Sequence, residues 1–246
     1  MTKNNKSLGI IPARYGSSRF PGKPLADIGG KPMIQWVYEK ALQSELDEVV
    51  VATDDQRILE AVEAFGGKAV MTASTHSSGT DRCAEVAAMT PFSAFSFVVN
   101  IQGDEPGIDP ALINAVLEVL RSDEKLLIST LASRIQEPEQ VSDPNVVKAV
   151  FDRNQKALYF SRSPVPFVRN DGATPVYYRH IGLYAFRRNA LLQVAQMEQS
   201  SLERAEQLEQ LRWLENGIPI GVAVVAHSSI AIDTPADLEK FKKHLK

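Results

Sequence analysis

The sequence predicts an α/β fold built on a mostly parallel central sheet flanked by helices, and three observations carry that expectation. Short β-branched runs alternate with amphipathic helical stretches through the first half of the chain. EVVVAT and FSFVVNI are near-continuous apolar runs, as strands covered on both faces are. A loop rich in glycine and cations follows directly on the first strand, at the position where ligands of open α/β sheets gather.

The elements follow in order. Leu8 to Ile11 reads as a strand that runs into the loop Arg14 to Lys23, where Arg14, Arg19 and Lys23 sit among Gly16, Ser17, Ser18 and Gly22. Glycines let a backbone approach closely and turn its N–H groups inward, and cations supply the charge that spaced phosphate oxygens need. Composition alone fits a solvated, turn-rich βα loop equally well, and the strand before it favours phosphate. Neither G-x-x-x-x-G-K-[ST] nor G-x-G-x-x-G can be read here, which disfavours a dehydrogenase. Ile34, Val37, Tyr38, Ala41 and Leu42 recur at helical spacing and predict a helix over about 33–44. Glu48 to Thr53 is a strand. Ile58, Ala61, Val62 and Phe65 repeat the helical pattern, Gly66-Gly67 stops it, and Lys68 to Met71 is a further short strand. This βαβαβ order calls for parallel pairing with right-handed crossovers.

SGTDR, residues 78–82, turns into a helix capped near Thr80. Phe95 to Ile101 is the strongest strand and ends at Gln102-Gly103-Asp104-Glu105-Pro106. A helix with Pro110 in its first turn follows. From about Leu126 the character changes: ISTLA, VVKAVF and ALYFS are strand-like, and Asp152 to Gln155 is a hairpin turn. Ser163 to Pro175 reads as an irregular extended connection. A strand over His180 to Ala185 leads to a helix through about Met197. Ser200 or Ser201 caps a single helix to about Glu215, ended by Asn216-Gly217 and Pro219. Ile220 to Val225 is a strand, and Pro235 opens a C-terminal helix.

Composition bounds the function classes. The chain has 246 residues, 44% hydrophobic and 23% charged, with a formal net charge of −3. That is ordinary globular composition with no basic footprint, so a nucleic-acid partner is disfavoured and any phosphate binding is local. A single cysteine, Cys83, excludes an intrachain disulfide and suits a reducing compartment. No signal peptide and no membrane span can be read, so the expected location is cytoplasmic. The four histidines have no ligand spacing, which speaks against zinc.

Several side chains invite chemistry. Asp104 ends a buried strand and Asp233 stands before the last helix. Carboxylates that meet in a fold hold Mg²⁺, whereas each aspartate alone reads as a turn residue or a helix cap. Asp54-Asp55 reads as a cap. Glu209 lies within about 40° of Leu202 and Trp213 on a helical wheel, an apolar setting in which carboxylates seldom sit without a partner. Arg162 and His180 are candidates for gripping an anion, the guanidinium in bidentate fashion and the imidazole through one donor.

IPARYGSSRFPGKPL, VATDD, SGTDR, NIQGDEP, ALYFSR, RHIGLYAF, LEQLR and DTPADLEKF occur in that order over nearly the whole chain. The sequence thereby resembles the 3-deoxy-manno-octulosonate (Kdo) cytidylyltransferase, or CMP-Kdo synthetase, family. Gly107, after GDEP, is a mild departure. The resemblance implies a Rossmann-like nucleotidyltransferase fold over 1–246: a nucleotide-binding half to about 125, a smaller β-rich part over about 126–232 for sugar binding and dimerisation, and a C-terminal helix from about 233. It implies a homodimer that converts CTP and Kdo to CMP-Kdo and diphosphate for lipopolysaccharide biosynthesis. Carried over by position, Arg14, Ser17, Arg19 and Lys23 hold the triphosphate, while Ser78, Gly79, Thr80 and Arg82 lie around cytosine and ribose. Asp104 and Asp233 hold Mg²⁺, and Gln102, Arg162, His180, Tyr184, Glu209 and Gln210 surround the sugar acid. The catalytic set is Arg14, Lys23, Asp104 and Asp233. The expected reaction is in-line attack of the anomeric hydroxyl on the α-phosphorus, assisted by Mg²⁺.

Rival readings are a cytidylyltransferase for 8-amino-Kdo or for a sialic acid, and, from another class, a catalytically silent nucleotide-binding module. ALYFSR and LEQLR favour Kdo over sialic acid. Intact Arg14, Lys23, Asp104 and Asp233 argue against the silent module.

Overall fold

The computed structural model describes residues 5–17, 20–169, 175–226 and 231–244. They fall into two compact units, one drawn from Met1–Asn114, Arg187–Ala195 and Ser229–Lys246, the other from Ala115–Phe186 and Gln196–Ser228.

The first unit opens with β1 (Ser7–Ala13), whose end leads into the cationic loop and a 3-10 turn over Lys23–Leu25. A small hairpin that periodicity did not predict, β2 (Asp27–Ile28) and β3 (Lys31–Pro32), precedes α1 (Met33–Ala41). β4 (Glu48–Thr53), α2 (Gln56–Ala64), β5 (Ala69–Met71), α3 (Gly79–Ala88) and β6 (Phe97–Asn100) complete the alternation. All three pairings among β6, β1, β4 and β5, adjacent in that order, are parallel, with Ile10 opposite Val50 on one side and Asn100 on the other. Along these strands Leu8, Ile10, Ile11, Val50, Val51, Val98 and Val99 are fully buried, which explains why they read as unbroken apolar runs. The chain runs outward from β1 through β4 to β5 and returns to β6 on β1's other side. The crevice beyond the carboxyl ends of β1 and β6 is therefore a topological switch point, where ligands of open α/β sheets bind.

α4 (Pro110–Ser122) begins in the first unit and ends in the second, which continues with β7 (Ile128–Arg134), α5 (Glu139–Ser142), β8 (Lys148–Phe151), β9 (Ala157–Ser161) and β10 (Tyr178–Arg187). β8 and β9 form the expected hairpin, closed by the Asp152 N–H on the Lys156 carbonyl at 2.8 Å. α6 (Arg188–Val194) belongs to the first unit, while α7 (Ser201–Glu206), α8 (Gln210–Glu215) and β11 (Ile220–Val225) belong to the second. β10 runs antiparallel to β7, with a register shift between Ile181 and Tyr184, and β11 is parallel to β7.

Two expectations change here. The single helix over 200–215 is two helices: Gln207 adopts φ 52 and ψ 48, a left-handed conformation that ends α7. A Ser200–Glu203 capping box starts α7, and a buried ion pair between Glu203 and Arg212 (Nη2–Oε1 2.6 Å) ties α7 to α8. The cap of α3 is Ser78 and not Thr80: the Ser78 hydroxyl accepts from the Asp81 N–H at 3.0 Å and Asp81 returns the bond.

The last helix, α9 (Pro235–His244), closes the first unit. Ile28, Met33, Ile232 and Leu238 form one buried cluster, with Phe20, Trp36 and Phe241 packed on it. Gly107 serves this packing, since a Cβ there would meet the Phe241 ring at 3.0 Å. No helix among the described residues is long and apolar enough to cross a membrane.

Candidate active site

A cavity of about 270 Å³ opens at the switch point of the first unit. The loop after β1 supplies Arg14, Ser17, Lys23 and Pro24, the strand itself Pro12 and Ala13, and the entry to α3 His76, Ser77, Ser78, Gly79 and Arg82. Gln102, Gly103 and Asp104, beyond β6, and Asp233, before α9, complete the wall.

Asp104 and Asp233 converge here. The Lys23 ammonium donates to Asp104 Oδ2 at 2.8 Å and lies 3.5 Å from Asp233 Oδ1. Their backbones are also joined, by the Ile232 N–H on the Asp104 carbonyl at 2.8 Å, and Ile232 is fully buried. Neither bland alternative accounts for the carboxylates: α9 is capped by Thr234, whose hydroxyl bonds Asp237 at 2.7 Å, and the Asp104 side chain reaches a cation instead of its own turn. Two carboxylate oxygens within reach of one cation fit a hard divalent ion that completes its shell with phosphate oxygens and water. Among the described residues no cluster of three or more His, Cys, Asp or Glu side chains could hold a metal, so the shell of an ion held by Asp104 and Asp233 is completed by water or phosphate oxygens.

Of the expected nucleotide residues, Arg14, Ser17, Lys23, Ser78, Gly79 and Arg82 line this cavity. Thr80 is buried and does not line it, and Arg19 lies outside the described residues. Arg82 is almost wholly buried; its guanidinium bonds Asp54 at 3.0 Å as well as the Thr72 hydroxyl. It thus ties α3 to the end of β4 and presents only part of its surface to the cavity. The cap reading holds for Asp55, which accepts from the Arg57 N–H at 3.0 Å, but Asp54 is the partner of Arg82. His76 is a wall residue that the sequence motifs do not single out. Its Nε2 bonds Glu85, and its place two residues before SGTDR was the available signal.

The second unit gathers His180, Tyr184, Glu209 and Gln210. The His180 ring lies 4.8 Å from Phe160 and 5.4 Å from Tyr184, and Tyr184 meets Trp213 edge-on at 5.1 Å. Burial pushes the His180 pKa down to about 3, so the imidazole is neutral at physiological pH. The Thr130 hydroxyl points at the Ile181 and Leu183 carbonyls, both 3.0 Å away, and lies 2.9 Å from His180 Nε2. One hydroxyl hydrogen cannot serve the ring as well, which assigns the proton to Nε2 as donor to Thr130 and leaves Nδ1 an acceptor. His180 therefore offers a ligand an acceptor, and not the anion-gripping donor expected from sequence.

Burial, and secondarily the Glu209 charge, raises the Tyr184 pKa well above its ordinary value. Tyr184 Oη, Gln210 Nε2 and Trp213 Nε1 are buried without a hydrogen-bond partner among the described residues, a concentration of unmet polar atoms that suits a polyhydroxylated ligand. Arg162 is partly engaged: its guanidinium donates to the carbonyls of Glu206 (2.7 Å), Pro144 (2.8 Å) and Gln207 (3.4 Å). A bidentate grip on a carboxylate must use the donors that remain. Gln102 belongs to the first unit's cavity.

Known proteins share this architecture. The sequence profile of the family described as Cytidylyltransferase matches residues 8–222. The 3-deoxy-manno-octulosonate cytidylyltransferase of Syntrophus aciditrophicus (strain SB) is 51% identical over 96% of this chain and 96% of its own length. The protein of the same name from Leptospira interrogans serogroup Icterohaemorrhagiae serovar Lai (strain 56601) is 52% identical over 95% of this chain and 94% of its own. Among solved structures, a CMP:2-keto-3-deoxy-manno-octonic acid synthetase complexed with CTP superposes with a TM-score of 0.93 at 48% identity, covering 98% of both chains.

Proposed function

The chain belongs to the 3-deoxy-manno-octulosonate cytidylyltransferase family, and on that premise we propose that it transfers CMP from CTP to Kdo, giving CMP-Kdo and diphosphate for lipopolysaccharide biosynthesis. The observation that carries this reading is the meeting of Asp104, Asp233 and Lys23 in a cavity walled by a cationic loop.

Arg14, Ser17 and Lys23 hold the triphosphate, with Arg19 from the same loop. Ser78, Gly79, Thr80 and Arg82 form the cytosine and ribose side, Thr80 and Arg82 largely from beneath. Asp104 and Asp233 hold Mg²⁺, which when bound supplies Lewis-acid charge at the phosphate oxygens. The sugar's anomeric oxygen forms a bond to the α-phosphorus as the α–β bridging bond breaks, diphosphate departs, and the hydroxyl proton is released. Lys23 and Arg14 put fixed positive charge where that transition state spreads negative charge.

For the sugar acid we assign Gln102 from the cavity and Arg162, His180, Tyr184, Glu209 and Gln210 from the second unit. His180 Nδ1 accepts from a sugar hydroxyl, while the Tyr184 hydroxyl and Gln210 amide donate to others. We also propose a homodimer, supported by the exposure of Leu158 (61%) and Phe167 (86%) in the second unit. Incubation with CTP, Mg²⁺ and either Kdo, 8-amino-Kdo or a sialic acid, with diphosphate release as readout, tests the reading. Release with Kdo is expected. Release with another acid alone reassigns the substrate, and magnesium-dependent CTP binding without release from any acid turns the protein into a silent module.

A further inference from the structure

The tandem Asp54-Asp55 at the end of β4 holds two arginines, and only one of them touches the cavity. Asp54 aligns Arg82 in the α3 wall. Asp55 takes the Arg57 guanidinium in a fork, Nε to Oδ1 at 2.9 Å and Nη2 to Oδ2 at 2.7 Å. So aligned, Arg57 Cζ lies 3.4 Å from the centroid of the Tyr15 ring. Tyr15 in turn closes the cationic loop on itself: its carbonyl accepts the Gly22 N–H at 2.9 Å. Its ring packs so closely on Gly22, which has φ +69, that a Cβ there would lie 3.1 Å from Cε2 and Cζ. Neither Tyr15 nor Arg57 lines the cavity, yet Arg14 and Lys23, which do, are the chain neighbours of Tyr15 and Gly22, and Ser17 follows Tyr15 by two residues.

An exposed Asp–Arg pair alone contributes little to stability, and the Arg57 side chain is 58% exposed. The fork has a different consequence. It fixes the guanidinium plane over an aromatic face that is itself seated on the loop closure. We propose that Tyr15 and Arg57, aligned by Asp55, form a clamp that holds the cation-bearing loop closed and so sets the protein's affinity for a nucleoside triphosphate. They are positioning residues for the triphosphate site assigned above, and the proposal rests on that assignment for its ligand.

Tyr15→Leu removes the ring without changing charge, Arg57→Ala removes the cation, and Tyr15→Phe keeps the clamp. With a stack of this kind, Tyr15→Leu and Arg57→Ala should each raise the CTP dissociation constant and KM by about 3- to 10-fold and leave kcat within about twofold. Tyr15→Phe should behave as wild type, and the double variant should be no worse than either single one. In nucleotide-free protein the Gly22 amide, whose acceptor is the Tyr15 carbonyl, should exchange faster in both single variants.

Unchanged affinity and exchange in Tyr15→Leu overturn the clamp. So does weakening in Arg57→Ala alone, which would be lost charge, and so do effects that multiply in the double variant. If wild-type protein binds no CTP in calorimetry, the nucleotide assignment fails, and amide exchange at Gly22 still decides whether the clamp exists.

Discussion

Replacing Lys23 by methionine tests the carboxylate pair without relying on turnover. The ammonium is the cation between Asp104 Oδ2 and Asp233 Oδ1, at 2.8 and 3.5 Å, so those oxygens are no further apart than the sum of the two distances. The Lys23, Asp104 and Asp233 side chains are 16%, 28% and 42% exposed, which places the pairs near the surface, where each is worth at most about 1 kcal/mol after solvent screening. Removing the cation also leaves two carboxylates facing each other, a repulsion of about 0.7 kcal/mol at roughly 6 Å in a water-like dielectric. Together these give a loss of about 1–2 kcal/mol, or roughly 2–6 °C in Tm for a chain of this size, in the presence of a chelator. The same free energy reappears as affinity for a divalent ion, because the lysine no longer competes. Mn²⁺, titrated into nucleotide-free protein and followed by electron paramagnetic resonance, should bind Lys23→Met about 5- to 30-fold more tightly than wild type. Added Mg²⁺ should also raise the variant's Tm further. Equal or weaker Mn²⁺ affinity in the variant, with unchanged stability, would show that the two aspartates do not share a cation site.

Other consequences are open to direct measurement. Asp104→Asn or Asp233→Asn should lower turnover at saturating Mg²⁺ by about 100-fold or more, and near-wild-type rates in either would remove the carboxylates from the mechanism. His180 titrates near 6.5 when unfolded and at about 3 when folded, so its contribution is complete above pH 6.5 and is lost as pH falls from there towards 3. Between pH 7 and 5 the protein should lose about 1–2 kcal/mol more than His180→Gln does, a difference of roughly 2–6 °C in melting temperature; parallel melting curves would refute a buried neutral imidazole. If Phe167 lies in a subunit interface, Phe167→Glu should shift a sedimenting dimer towards monomer. A wild-type protein already monomeric at micromolar concentration would contradict the proposed homodimer.

What the sequence made legible, and what it hid, follows the range of the forces involved. β1, β4 and β6 were readable because burial on both faces leaves no polar position to break the run, and Ser78-x-x-Asp81 already carried the pattern of the capping box found there. The break at Gln207 was not readable. A left-handed residue is expected to be glycine or asparagine, and the apolar spacing from Leu202 to Trp213 continues undisturbed across it. The wheel angle between Glu209 and Leu202, which spans that break, therefore has no physical meaning, although Glu209 does come close enough to Tyr184 to raise its pKa.

Charge posed a subtler difficulty. Composition marks Lys23, Arg57, Arg82 and Arg162 alike as cations, but each has a different partner: two carboxylates, a fork and a ring, a half-buried aspartate, and main-chain carbonyls. Those partners lie from 2 to 210 positions away, and none is specified by local propensity. Lys23 and Asp233 meet because Ile28, Met33, Ile232 and Leu238 bury one another, drawing the start of α9 against the turn that carries the lysine. The catalytic constellation is thus fixed by apolar residues that carry no chemistry. Leu238→Ala should accordingly weaken divalent-ion binding at Asp233, a residue it precedes in no mechanism and touches in no step.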